Sequence, residues 1–166
     1  MVRLLILIFS VISPSLIFSE SLKSKCSKNM TSLFQIPLLC ADRSVLDKAI
    51  KERGGIPKRY RNKAWTNIYT SNQLLRGSHY LEMAYTKSDR FSHAKYTFRS
   101  FMDRWQVERV KFLLSSKYGE PDESHGKLII GKVEYKWKLK DGIVLKVYRG
   151  WPDTTTYVTY EKPPAR

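Results

Sequence analysis

The sequence predicts an α+β protein: two tandem helix-then-three-strand units forming an antiparallel sheet with both helices on one face. Three observations carry the prediction. The chain matches itself at a shift of 64 residues: Lys48 to Pro57 aligns with Phe112 to Pro121, Leu81-Glu82-Met83 with Leu145-Lys146-Val147, and Ala94-Lys95-Tyr96 with Val158-Thr159-Tyr160. In both copies a helical stretch runs into a glycine and proline stop and then into strand-like segments. Finally, Val133 to Leu139 alternates strictly between apolar and polar residues before Asp141-Gly142 and a second apolar run, which is a hairpin pattern. One helix over three strands makes a thin core, and two units side by side explain the doubling.

Residues 1–21 read as a secretory signal. Arg3 supplies the positive end, Leu4 to Ile12 the apolar run, Pro14 the break, and Ser19-x-Ser21 a small-x-small cleavage site. The run is too short to span a bilayer, so no stable membrane insertion is expected after cleavage. Lys23-Ser24-Lys25-Cys26 lacks the apolar and small residues that precede a lipidated cysteine. The expected location is therefore the periplasm or the cell exterior.

Residues 22–43 form a flexible Ser/Lys-rich segment and a short strand, Leu33 to Pro37. Cys26 and Cys40 are expected to pair as a disulfide in an oxidising compartment, closing a loop worth about 3 kcal/mol. No histidine or further cysteine lies near them, which argues against a metal site.

The first unit covers 44–102. Ser44 is the expected N-cap, with Asp47 three residues on, and the helix runs to Arg53 before Gly54, burying Leu46, Ala49 and Ile50. Arg59 to Lys63 reads as a basic loop, and strands follow at Trp65 to Tyr69, Tyr80 to Thr86 and Ser92 to Arg99.

The second unit and tail cover 103–166. Asp103 is the expected cap of a helix that ends near Tyr118 and buries Val107, Val110, Leu114 and Tyr118. A three-residue loop, Lys140 to Gly142 with Gly142 left-handed, sets the hairpin register: Leu139 faces Ile143, Trp137 faces Leu145 and Tyr135 faces Val147. Thr155 to Tyr160 is the last strand.

The motif Lys117-Tyr118-Gly119-Glu120-Pro121 with Trp137 and Lys140-Asp141-Gly142-Ile143, echoed by Arg53 to Pro57 with Leu81 to Tyr85, resembles the fold of the outer-membrane assembly lipoprotein BamE and the tandem beta-lactamase inhibitor protein. The resemblance follows the order of elements over most of the chain, with few identities. It implies a non-catalytic exported protein that binds another protein through its sheet.

Thirty Lys and Arg against fifteen Asp and Glu give a net charge of +15, which favours acidic partners. On the polar face of the hairpin, Lys136, Lys138, Lys146 and Tyr148 form a candidate docking surface, with Lys95 and Arg99 as extensions. Arg59, Arg61 and Trp65 in the basic loop are a second candidate, mixing cations with aromatics. The same lysines also suit a solvated face that deters edge pairing.

The leading expectation is a non-catalytic exported binding protein, an inhibitor or scaffold for an acidic protein partner. The alternative is a binder of nucleic acid or anionic polysaccharide. A third reading pairs two of His79, His93 and His125 as acid and base in a secreted phosphodiesterase or ribonuclease-like enzyme. No nucleophile motif, phosphate loop or metal-ligand spacing is present, and no cofactor is implied.

Overall fold

Period-two alternation dominates this chain, and most of it forms strands. The computed structural model describes residues 30–61, 65–100, 102–150, 152 and 154–163. In chain order the strands are β1 (Ser32–Leu33), β2 (Ile36–Pro37), β3 (Pro57–Arg61), β4 (Thr66–Thr70), β5 (Tyr80–Tyr85), β6 (Phe91–Phe98), β7 (Glu123–Lys127), β8 (Lys132–Lys138), β9 (Val144–Arg149) and β10 (Thr156–Glu161). The helices are α1 (Arg43–Glu52) and α2 (Gln106–Tyr118). β1 and β2 form a small hairpin, and the other strands form one antiparallel sheet in the order β3-β4-β5-β6-β10-β9-β8-β7. The chain crosses the sheet from one edge to β6, jumps to the far edge, and returns to the middle, where β10 pairs with β6 from Phe98↔Thr156 to His93↔Glu161.

This eight-stranded sheet overturns the expected pair of helix-then-three-strand units. Two strands lie where none is expected: Pro57–Arg61, overlapping the expected basic loop Arg59 to Lys63, pairs with β4, and Glu123–Lys127 pairs with β8. Both are edge strands, which need no apolar alternation because much of their surface faces water. Nor do the two helices form a layer over paired units. α2 lies against β9 and β10, whereas α1 reaches the core through Leu46, Ala49 and Ile50.

The cap positions also differ from expectation. Asp42, not Ser44, caps α1: its Oδ1 accepts the Val45 N–H at 3.0 Å. Burial works to raise the Asp42 pKa, but the Val45 N–H and the Ser44 hydroxyl outweigh it and hold the carboxyl below its ordinary value. Asp103 accepts the Trp105 N–H at 3.0 Å, and α2 begins only at Gln106. The expected strand at Leu33 to Pro37 is instead the tight β1–β2 hairpin, with Phe34 and Gln35 both at positive φ.

The core lies on one face of the sheet. Leu81, Tyr96, Val158 and Val147 align across β5, β6, β10 and β9, and Met83, Ala94, Tyr160, Leu145 and Trp137 form the next row. The β8–β9 register is the expected one, with Trp137 opposite Leu145 and Tyr135 opposite Val147. Gly142 takes φ +84, a left-handed conformation open to glycine at little cost.

Two polar contacts pin this hairpin to its surroundings. The Trp137 indole N–H donates to the Gly119 carbonyl at 2.8 Å, tying β8 to the end of α2. The Asp141 carboxylate accepts from the Thr31 N–H at 2.7 Å and the Thr31 hydroxyl at 2.9 Å, holding the N-terminal segment against the β8–β9 turn.

Candidate binding face

Opposite the core, the alternate residues of the central strands form a polar face. The register places Glu123, Lys136, Lys146, Thr159, Lys95 and Glu82 in one row across β7, β8, β9, β10, β6 and β5. The neighbouring row carries His125, Glu134, Tyr148, Tyr157, Thr97 and Tyr80. Tyr148 and Tyr157 stack, with centroids 5.1 Å apart and planes inclined at 27°. Thr159 is buried although it lies on this face, because the longer side chains around it close over it.

The lysines expected to make this face basic are neutralised from within it. Lys136 and Lys138 lie 3.0 Å and 2.7 Å from the two oxygens of Glu123, Lys146 lies 2.7 Å from Glu161, and Lys95 lies 3.3 Å from Glu82. Lys136 and Lys146 stand directly opposite as a like-charge pair, and these carboxylates on the flanking strands relieve its repulsion. Hydrogen bonds from Lys138 and then Lys136 draw the Glu123 pKa down to about 2. Glu123 had no sequence signal as a site residue, since Asp122-Glu123 reads as a solvated turn.

A shallow concavity of about 390 Å³ lies at the β6–β10–β9 seam, lined by His93, Lys95, Tyr148, Thr159, Glu161 and Lys162, with Ser92 at its edge. Burial lowers the His93 pKa, although Glu82, with its carboxylate 3.8 Å away, acts in the opposite direction.

The second candidate cluster is remote from this face. Arg59 and Arg61 belong to the edge strand β3, and Trp65, half-buried at positive φ, accepts the Tyr85 N–H through its carbonyl. The Arg59 and Arg61 side chains and residues 62–64 lie outside the described residues. Six strand spacings separate β3 from β8, roughly 29 Å. Arg59, Arg61 and Trp65 therefore do not share one surface with Lys136, Lys138, Lys146 and Tyr148.

The histidines do not converge either. His93 on β6 and His125 on β7 are four strand spacings apart, roughly 19 Å. The His79 N–H bonds the Thr97 carbonyl, putting its backbone roughly 14 Å along β6 from His93. Among the described residues, no group of three or more His, Cys, Asp or Glu is placed to hold a metal ion, and no helix is long and apolar enough to cross a membrane. Cys26 and the signal segment lie outside the described residues, while Cys40 ends the 3-10 turn Leu38–Cys40.

No protein-family model matches the chain, and no curated protein matches it in sequence. In structure it is similar to YjgB, a DUF4309 family protein from Bacillus subtilis subsp. subtilis str. 168. The TM-score is 0.51 at 14% identity, over 82% of this chain and 89% of that one. At that identity the likeness concerns the fold alone.

Proposed function

We propose that this is a non-catalytic exported protein, acting in the periplasm or outside the cell, that binds an acidic protein partner on its open sheet face and inhibits or scaffolds it. The observation that carries the reading is the stacked Tyr148–Tyr157 pair beside the Lys136–Lys146–Lys95 row, on the face opposite the core. Tyrosine is a rigid, amphipathic anchor of the kind that dominates protein interfaces. The paired lysines supply specificity: partner carboxylates replace Glu123 and Glu161 as counter-ions, while a like-charged or misplaced group meets an unpaired charge.

The same pairing weakens the polyanion alternative. Lysines already neutralised by Glu123, Glu161 and Glu82 release fewer counterions on binding a phosphate or uronate chain. The wide spacing of the histidines gives no support to an acid–base enzyme. The resemblance of the Tyr118 to Pro121 and Trp137 motif to exported protein-binding folds points in the same direction. A Cys26–Cys40 disulfide belongs to this reading and fits an oxidising compartment.

The test is capture of partners from the source organism's envelope extract, eluted with a salt gradient and identified by mass spectrometry. One saturable protein partner is expected. Its affinity should fall by about tenfold or more with Tyr148→Ala/Tyr157→Ala and with Lys136→Glu/Lys146→Glu. Recovery of nucleic acid or glycan alone, released at low salt, would overturn the reading.

A further inference from the structure

Helix α2 is apolar on two sides. Val107 and Val110 are buried in the core, with Leu114 and Tyr118 packed against it. On the opposite side, Trp105, Phe112 and Leu113 share the stripe of Arg109 and Ser116 at helical spacing. They are 55%, 73% and 65% exposed, and Met102, just before the helix, is 77% exposed. An open, almost wholly apolar hollow is lined by Phe112, Leu113, Glu108 and Arg109. Large apolar side chains scattered singly on a surface need no explanation, but four gathered on one helix and its approach do.

The charges around the patch say what covers it. The segment carries Arg104, Arg109, Lys111 and Lys117 against Asp103 and Glu108, with Lys111 paired to Glu120 just beyond the helix at 2.9 Å, in a chain of net charge +15. Glu108 is drawn inward by the Tyr135 hydroxyl, which donates to it, and Asp103 is held by Arg109. Arg104 lies over the Trp105 ring at 5.7 Å, so that the indole carries a cation above an apolar body. A second copy of this chain would bring another +15 to the same place, which opposes self-association. Exposed Trp, Phe, Leu and Met rimmed by Arg and Lys match the two components of an anionic bilayer surface, acyl boundary and phosphate headgroup.

The geometry points to α2 as a peripheral docking element for an anionic membrane surface, with Met102, Trp105, Phe112 and Leu113 entering the headgroup boundary and Arg104 and Lys117 contacting lipid phosphates. This is attachment to a surface, not insertion across it. It leaves the open sheet face available, since α2 lies on the core side.

The experiment uses the chain from Leu22 onward, which holds every described element, and sedimentation with vesicles of phosphatidylcholine mixed with phosphatidylglycerol or of phosphatidylcholine alone. Binding is expected to the anionic vesicles, with a blue shift of tryptophan emission that Trp105→Tyr removes. Phe112→Ser/Leu113→Ser should weaken binding about tenfold or more, since each side chain leaves water on docking. Arg104→Glu/Lys117→Glu should abolish the preference for anionic lipid. Because these side chains are exposed, circular dichroism and the urea midpoint should be unchanged, which separates lost binding from lost fold. No sedimentation with anionic vesicles, or sedimentation indifferent to Phe112→Ser/Leu113→Ser, overturns the proposal. So does a dimer in gel filtration that the same pair dissociates, which would make a second copy the occupant.

Discussion

Replacing Trp137 with phenylalanine removes one hydrogen bond and part of one ring system from the joint between α2 and the β8–β9 hairpin. The indole is 2% exposed, and its N–H donates to Gly119 at 2.8 Å, where the chain leaves α2. Loss of that bond costs about 1 kcal/mol, because the exposed Gly119 can turn its carbonyl to water. The vacated ring volume costs about 1–2 kcal/mol more, since Leu145 opposite and the rest of the core row relax only in part. The total, about 2–3 kcal/mol, is a large fraction of the stability of a domain this size. With a urea dependence of about 2 kcal/mol per molar, the midpoint should fall by about 1–1.5 M at unchanged slope, followed by far-ultraviolet circular dichroism. A shift below about 0.3 M would refute the reasoning, showing that the indole neither anchors the end of α2 nor fills the core as its burial implies.

Asp141→Ala should release the N-terminal segment at a cost of about 1–2 kcal/mol, seen as faster limited proteolysis near Thr31 with the sheet intact. Glu123 has its pKa lowered to about 2 from an ordinary 4.5, so its contribution is fully present above pH 4.5 and is lost as pH falls from there toward 2. Glu123→Gln should flatten the stability profile in that window, and added salt should shrink the difference because the group is exposed. His93 is held neutral, mainly by burial, so stability should decline as pH falls below its ordinary value of 6.5 and recover above it. His93→Gln should remove that slope in urea midpoints measured across the range, and a persistent slope would place the titration elsewhere.

What the sequence made legible was whatever carried a strong period. Both helices and six of the sheet strands follow from alternation or 3–4 spacing, and the β8–β9 register follows from one loop length and one glycine. The two edge strands were invisible for a physical reason. Glu123-Ser124-His125-Gly126-Lys127 contains no apolar side chain, and Lys58-Arg59-Tyr60-Arg61 reads as a charged loop because an edge can tolerate such residues. The error passed to the site: the lysine positions were legible, but the carboxylate that neutralises Lys136 and Lys138 lies on an unrecognised strand. Glu161 was hidden differently, because the β9–β10 pairing joins segments with no tight turn between them to fix their register. The Trp105, Phe112 and Leu113 stripe was present in the spacing all along. It was overshadowed because Val107, Val110, Leu114 and Tyr118 already accounted for the helix.

The seam between β6 and β10 sets the order in which this protein can become itself. Strand β10 arrives last and sits in the middle of the sheet, between β6 and β9. Until Thr156 to Glu161 is available, two incomplete sheets face each other with open inner edges, and Tyr96 and Val147 have no Val158 between them. A chain interrupted before Thr156 would present both edges to other chains, the arrangement most prone to strand-to-strand aggregation.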